Sequence, residues 1–175
     1  MSAIISSINY CPVKSVSFQT IENCEIKKNI GIVSDRIFAF AKDLDQEQAK
    51  LFEKSPVDRK GKWNKVLTLK NSPVLNKYNF IYKDEKLTLT LKDKEILTID
   101  INQSDEREAL SNKISELESS LKQPITLMKN HEFPFFDTSI SNKVNFVNSV
   151  SLLNIQSIND FQKKIERNVE SSIFR

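Results

Sequence analysis

Glycine is nearly absent from this chain, with two residues in 175. No G-x-G or G-K-S spacing occurs, which excludes the phosphate loops built on glycine-rich turns. Cysteine is equally scarce: Cys11 and Cys24 make no disulfide framework and no C-x-x-C ligand pair, and read as ordinary reduced thiols. Charge of one sign is lacking too. Lys and Arg number 26 against 23 Asp and Glu, a net charge of +3. Like charges never gather into long blocks, so neither a nucleic-acid nor an anionic-membrane footprint is present, and any anion site has to be local. No apolar run approaches the roughly 18 residues a membrane span needs, and "MSAIISSINY" is neither a basic leader nor a cleavable signal. These absences predict a cytoplasmic protein with no membrane and no nucleic-acid partner.

What is present is a period of two over the first hundred residues. "SAIISSINY", "ENCEIKK", "RIFAFAKD", "KVLTLK", "YNFIYKD", "KLTLTLK" and "EILTIDI" read as short strands of an antiparallel meander. The last two are joined by the tight polar link "KDK", with Leu87, Leu89 and Leu91 on one face. Their partners are Ile96 and Ile99, or Leu97 and Ile101, according to register. Seven short strands point to a small barrel or sandwich, because an open sheet of that size leaves edges exposed.

The period then becomes helical. In "SDEREALSNKISELESSLKQP" Leu110, Ile114, Leu117 and Leu121 form one stripe, Asp105 and Glu108 a weak capping box, and Pro124 the stop. "ITLMK" and "VNFVN" read as strands, separated by the aromatic-rich loop "NHEFPFFDTSISNK". "SVSLLNIQSINDFQKKIER" predicts a helix capped by Ser149 or Ser151, with Leu152, Ile155, Ile158, Phe161 and Ile165 inside. The lone histidine, His131, reads as a packed or solvated loop residue, and Trp63 with the eleven phenylalanines as core and interface residues.

The chemistry-bearing residues lie early. Lys14 and Ser15 follow Pro12, which stiffens the chain, and together present an ammonium and a hydroxyl that suit one phosphate. Arg36, 21 residues beyond Ser15, adds a planar fork able to grip two oxygens. The alternative is a solvated turn at Lys14 and Ser15, with Arg36 paired to a carboxylate in the neighbourhood of Asp35. Gly31 is expected where the backbone needs a positive φ, in a turn.

The order "CPVKS", "NIGIVSDRIFAFAKD", an all-β stretch, then "FFDT" and "VNFVNSVSLLNIQSINDFQKKIERNVESSIFR" resembles the MOSC proteins, named for the molybdenum cofactor sulfurase C-terminal domain. That family shows Y-P-V-K-S, G-L-x-x-D-R, a later Asp-Thr, a Ser-Leu helix and an R-F-R-x-N run. Its members include the mitochondrial amidoxime-reducing component. The resemblance covers nearly the whole chain. It implies an α+β, mainly β protein: an N-terminal MOSC-type antiparallel β-barrel over 1–100, a connecting helix and strand over 101–130, and the incomplete start of a MOSC β-domain over 131–175.

By the same resemblance Lys14, Ser15, Arg36 and Arg175 hold the phosphate-bearing tail of the molybdenum cofactor, a molybdopterin, while Asp137 and Thr138 mark the MOSC part. A redox partner protein would deliver electrons for reduction of N-hydroxylated compounds; sulfur transfer is the family's other activity. The chain departs from the pattern at Cys11, which stands where an aromatic residue precedes the proline, and at "SIFR", which lacks the arginine before the phenylalanine. The family's metal-ligating cysteine lies downstream of that run, so the resemblance implies a truncated, catalytically incomplete chain with no catalytic or metal-ligating residue of its own. The competing reading is a non-catalytic β-barrel binding or scaffold protein with a local anion site.

Overall fold

The computed structural model of the chain describes residues 4–16, 18–28, 30–55, 59, 62–121, 123–136 and 150–169. The fold is α+β, with mostly antiparallel strands: β1 Ile8–Tyr10, β2 Gln19–Ile21, β3 Ile26–Lys27, β4 Gly31–Ile32, β5 Phe38–Lys42, β6 Tyr78–Lys83, β7 Lys86–Leu91, β8 Lys94–Asp100 and β9 Ile125–Lys129. Three helices accompany them: α1 Gln46–Lys54, α2 Ser104–Leu117 and α3 Ile155–Ile165. The strands hydrogen-bond as β1–β2, β3–β4, β5–β9 and β6–β7–β8. Among the described residues these four sheets do not join into the closed barrel that strand count alone predicts. No helix among those residues is long and apolar enough to cross a membrane.

β5 organises the core because both of its faces are buried. Phe38 and Phe40 enter a large cluster with Val13, Val16, Leu75, Phe80, Leu87, Leu89, Leu110 and Leu127. Ala39 and Ala41, pointing the other way as strand geometry requires, enter a second cluster with Ala49, Phe52, Val66, Met128 and Phe135. α2 and β9 belong to this same core: Leu110 and Ile114 are fully buried, and the Ser111 hydroxyl donates to Arg107 O (2.9 Å) while accepting from Leu127 N–H (3.0 Å). One hydroxyl thus ties helix to strand.

The β6–β7–β8 meander follows the alternation closely. Leu87 faces Ile99 and Leu89 faces Leu97, but the register shifts after Leu89, so Leu91 meets Lys94. Both hairpin turns use left-handed pairs without glycine, Asp84–Glu85 and Lys92–Asp93, as tight two-residue turns demand. Gly31 has φ 86°, in keeping with the expectation of a positive φ there.

Three local expectations are corrected. "KVLTLK" is no strand. Val66 makes a single bridge to Ala41 and Leu67 N–H donates to Phe40 O (2.8 Å), but the Asn71 side chain then accepts from Thr68 N–H (2.7 Å) and donates to Val66 O (3.0 Å), turning the chain away. α1 is absent from the sequence expectation: "QEQAKLFEK" buries only a narrow seam, Ala49 and Phe52, with Leu51 exposed, and its start is fixed by Asp45 Oδ1 accepting from Gln48 N–H at 2.8 Å. The caps differ as well. α2 has no side-chain cap of its own and Glu106 instead accepts from Asp100 N–H (2.6 Å), while Asn154, not a serine, caps α3. The expected strand "VNFVN" and the residues Asp137, Thr138 and Arg175 lie outside the described residues.

α3 keeps most of its apolar stripe in solvent. Ile158 is buried, whereas Ile155, Phe161 and Ile165 are exposed, and Leu152 just before the helix is 88% exposed. Side chains left wet in this way forgo about 1.5 to 3 kcal/mol each. Amides of β6 to β8 are therefore expected to exchange slowly with deuterium and those of α3 quickly in a dilute monomer; equal protection through Phe161 would show that α3 shares the stability of the main core.

Candidate functional site

The candidate site is built where two chain segments meet. Cys11–Lys14 runs beside Asp35–Phe38, in parallel at the Val13–Phe38 bridge. Cys11 O accepts from Arg36 N–H (2.7 Å), Pro12 O from Phe38 N–H (3.0 Å) and Phe38 O from Lys14 N–H (2.8 Å). Proline has no N–H to offer, and here only its carbonyl is asked for. Residues far apart in sequence, "CPVK" and "DRIF", are thereby locked side by side.

Asp35 fastens this junction. Its Oδ1 accepts from Cys11 N–H (2.8 Å) and its Oδ2 from Arg36 Nη1 (2.9 Å), and the residue is 7% exposed. Burial pushes its carboxyl above the usual carboxylate range; Arg36, the Cys11 N–H and Lys14 pull it part of the way back. Ser34 (φ 69°) and Arg36 (φ 53°) are both left-handed, which costs non-glycine residues about 1 to 2 kcal/mol each. The backbone bonds on both sides of Arg36 hold it there, since Arg36 O also accepts from Phe135 N–H at 2.7 Å.

The sequence-predicted residues divide between two surroundings. Arg36 is committed to Asp35, and its guanidinium lies over the Phe136 ring, 4.8 Å from the centroid. Ser15 is left-handed (φ 64°) and half-buried at the turn after Lys14. Lys14 is 8% exposed, with its ammonium 5.5 Å from the centre of the Trp63 ring. It forms the wall of an open cleft of about 640 Å³ that neither Ser15 nor Arg36 lines. Arg175 lies outside the described residues.

That cleft holds what the sequence did not announce. Lys42, at the end of β5, and Lys65 and Lys70 line it with Lys14, and Asp43 is the one carboxylate among its described lining residues. Asp43 pairs with Lys65 at 3.4 Å, whereas Lys42 and Lys70 make no ion pair among the described residues. Asn64, Thr68 and Asn71 add neutral polar groups and Trp63 an aromatic surface. Among the described lining residues four ammonium groups meet one carboxylate, with Lys14 also in the field of Asp35, and the result is a local cationic field that the chain's near-neutral total conceals. No sequence signal marked Lys42, Lys65 and Lys70, because the fold gathers them from the end of β5 and from the segment 63–71, beyond α1.

A second cleft, of about 570 Å³, contrasts with the first. Its charges are largely spent: Arg107 pairs with Glu53 (2.6 Å), Glu53 also accepts from Lys129 N–H (2.9 Å), and Lys129 Nζ donates to Asn102 (2.8 Å). His131 borders it with its ring edge toward Phe38, 6.4 Å between centroids. Among the described residues no group of His, Cys, Asp and Glu is placed to hold a metal ion. Cys11 is buried with its Sγ on Val13 O (2.6 Å), and Cys24 is half-buried.

Because Asp35 carries one backbone cap and one ion pair, Asp35→Ala is expected to destabilise the fold by roughly 2 to 3 kcal/mol in chemical denaturation. The pH dependence has a definite sign. A carboxyl whose folded pKa is raised binds its proton more tightly folded than unfolded, so its contribution is fully present at acid pH and declines as pH rises above 3.8 toward the folded value. The stability of the native chain relative to Asp35→Asn should therefore narrow from pH 3 upward through the carboxylate range; a gap that widens would show that the Arg36 pair outweighs burial.

Compared with known proteins, the chain matches no family model, no curated protein and no solved structure.

Proposed function

We propose that this chain is a cytoplasmic binding module for a phosphorylated ligand, and that the ligand is the pterin cofactor of molybdenum enzymes. The observation that carries the reading is the position of Lys14: the lysine of "CPVKS" stands in the wall of a cleft with Lys42, Lys65 and Lys70. A phosphate dianion calls for such a set, because ammonium groups give charge-assisted hydrogen bonds and the cleft wall lowers the dielectric around them. The choice of a pterin rests on the order of the MOSC-like motifs, and with it the assignment of the β strands of 1–100 to a barrel domain and of 131–175 to the start of a MOSC domain.

The donor set fits the phosphate end of that cofactor. Lys42 and Lys70 would hold the phosphate, and Lys14 and Lys65 would join them at the expense of the contacts each already makes. Arg36 acts differently on this reading: bound to Asp35, it fixes the loop that delivers Lys14 instead of gripping oxygen itself. When bound, the cofactor supplies the oxygen- or sulfur-transfer chemistry of a molybdenum centre. The thiolate that such a centre takes from protein has no counterpart at Cys11, whose Sγ is turned into the core. The chain is thus proposed to bind without completing a reaction, and a redox partner protein would matter only to a complete enzyme.

A second reading has a specific observation in its favour. With Arg36 committed to Asp35, no guanidinium fork lines the cleft among the described residues, and a simple scaffold protein with an anion site needs none. One experiment separates the two. The chain is purified from cells that make the cofactor, and released pterin is measured as its fluorescent oxidation product. Near-stoichiometric pterin that falls about tenfold or more in Lys70→Glu, and is unchanged in Lys27→Glu on the exposed strand β3, supports the cofactor reading. Phosphate binding without pterin favours the scaffold, and equal loss in both variants would place the site elsewhere.

A further inference from the structure

The lysine cleft has one lining side chain that phosphate does not explain. Among its described lining residues, every other one is charged or carries an amide or hydroxyl, and Trp63 is the sole aromatic and the sole apolar one. It is also the only tryptophan of the chain. A bare inorganic anion, or a sugar phosphate, gains little from an indole beside it. Indole is hydrophobic surface with a π-face, and its natural complement is another flat ring.

Trp63 is held as a platform would need to be. It opens a short 3-10 turn, Trp63–Lys65, and the next residues are tied to β5 by the Val66–Ala41 bridge and the Leu67 N–H bond to Phe40 O. The indole packs against the cluster of Ala39, Ala41, Phe52 and Val66, and its Nε1 is buried without an acceptor among the described residues. Trp63 is half-buried and also lines the cleft. A side chain anchored in this way loses little freedom when a ring stacks on it.

We infer that Trp63 makes the cleft selective for phosphomonoesters that carry a planar heteroaromatic ring, by stacking on that ring while the lysines hold the phosphate. The inference rests on the phosphate-binding reading above and assigns the side chain that takes the ligand's ring, which that reading leaves unassigned. About 640 Å³ is room for a nucleotide-sized molecule, within the range of small-ligand clefts. Lys14 links the two ends. Its ammonium lies 5.5 Å from the centre of the indole, which sets a phosphate-holding charge next to the ring.

The test uses the full chain and three probes that share a phosphate: inorganic phosphate, ribose 5-phosphate and guanosine monophosphate, titrated by calorimetry at one fixed low salt concentration. Guanosine monophosphate is expected to bind about tenfold tighter than ribose 5-phosphate, since stacking on an aromatic side chain commonly contributes that much. Its addition should shift the emission of Trp63, which is the whole tryptophan signal. In Trp63→Leu the affinity for guanosine monophosphate should fall to that for ribose 5-phosphate, and Trp63→Phe should restore part of the difference. Equal binding of the two esters by the native chain overturns the inference while leaving the lysine site standing; it needs no variant and so is immune to misfolding. Binding of none of the three probes overturns the phosphate reading itself, and this inference with it.

Discussion

The structure depends on a strand that is buried on both sides. β5, "FAFAK", puts phenylalanine toward one core and alanine toward the other. Large rings on one face fill the space between β5, the β6–β8 meander and α2; small methyl groups on the other let α1 and the Trp63 turn approach closely. Its neighbours are fixed through it: β9 along one edge in antiparallel register, Val13 by a bridge on the other side of Phe38, Val66 and Leu67 at Ala41 and Phe40. The cleft lysines inherit their positions from this strand. Lys42 is its last residue, Lys14 is hydrogen-bonded through its backbone to Phe38, and Lys65 and Lys70 flank the segment that Ala41 and Phe40 hold.

Such a strand needs its entrance secured, and Asp35 does that at a cost. A buried carboxylate is unfavourable unless it is paired and hydrogen-bonded, and Asp35 is both. Two left-handed residues on either side of it add to the cost. What the arrangement gains is a rigid crossing of two segments, with a basic residue on each. Arg36 is turned to one side, between Asp35 and Phe136, and Lys14 to the other, over Trp63. The same carboxylate feels both cations, so the placement of Arg36 and that of Lys14 are coupled electrostatically through it.

The parts of the fold legible in the sequence are those where one simple period governs burial. β6 to β9 and β5 alternate or run apolar, and α2 repeats at helical spacing, so tertiary packing and local pattern agree. The failures occur where side chains took over from pattern. Asn71 supplies the hydrogen bonds that a strand partner would have given "KVLTLK", and α1 is a nine-residue helix set by an aspartate cap between strand-like stretches. Hydrogen bonding groups the described strands in twos and threes and shows no closed barrel among them.

The site was legible to the same partial degree and for a related reason. Donor chemistry picks out Lys14, Ser15 and Arg36 as residues able to meet a phosphate, but it cannot say which cation is already neutralised. Arg36 has Asp35 as its immediate neighbour and pairs with it, the outcome that local sequence makes cheapest because no chain has to be closed to bring the two together. Lys42 and Lys70 have no such neighbour. Their charge is left uncompensated among the described residues, and they meet Lys14 only because β5 and the Asn71 turn return the chain to the same place. A cleft of like charges opposes folding, since the ammonium groups repel one another when brought together. The stability for it has to come from the two clusters on either side of β5, and a ligand anion would relieve that repulsion. A divalent anion such as phosphate should therefore stabilise the native chain more than sodium chloride of equal ionic strength, because it meets several ammonium groups at once in a place that β5 fixed.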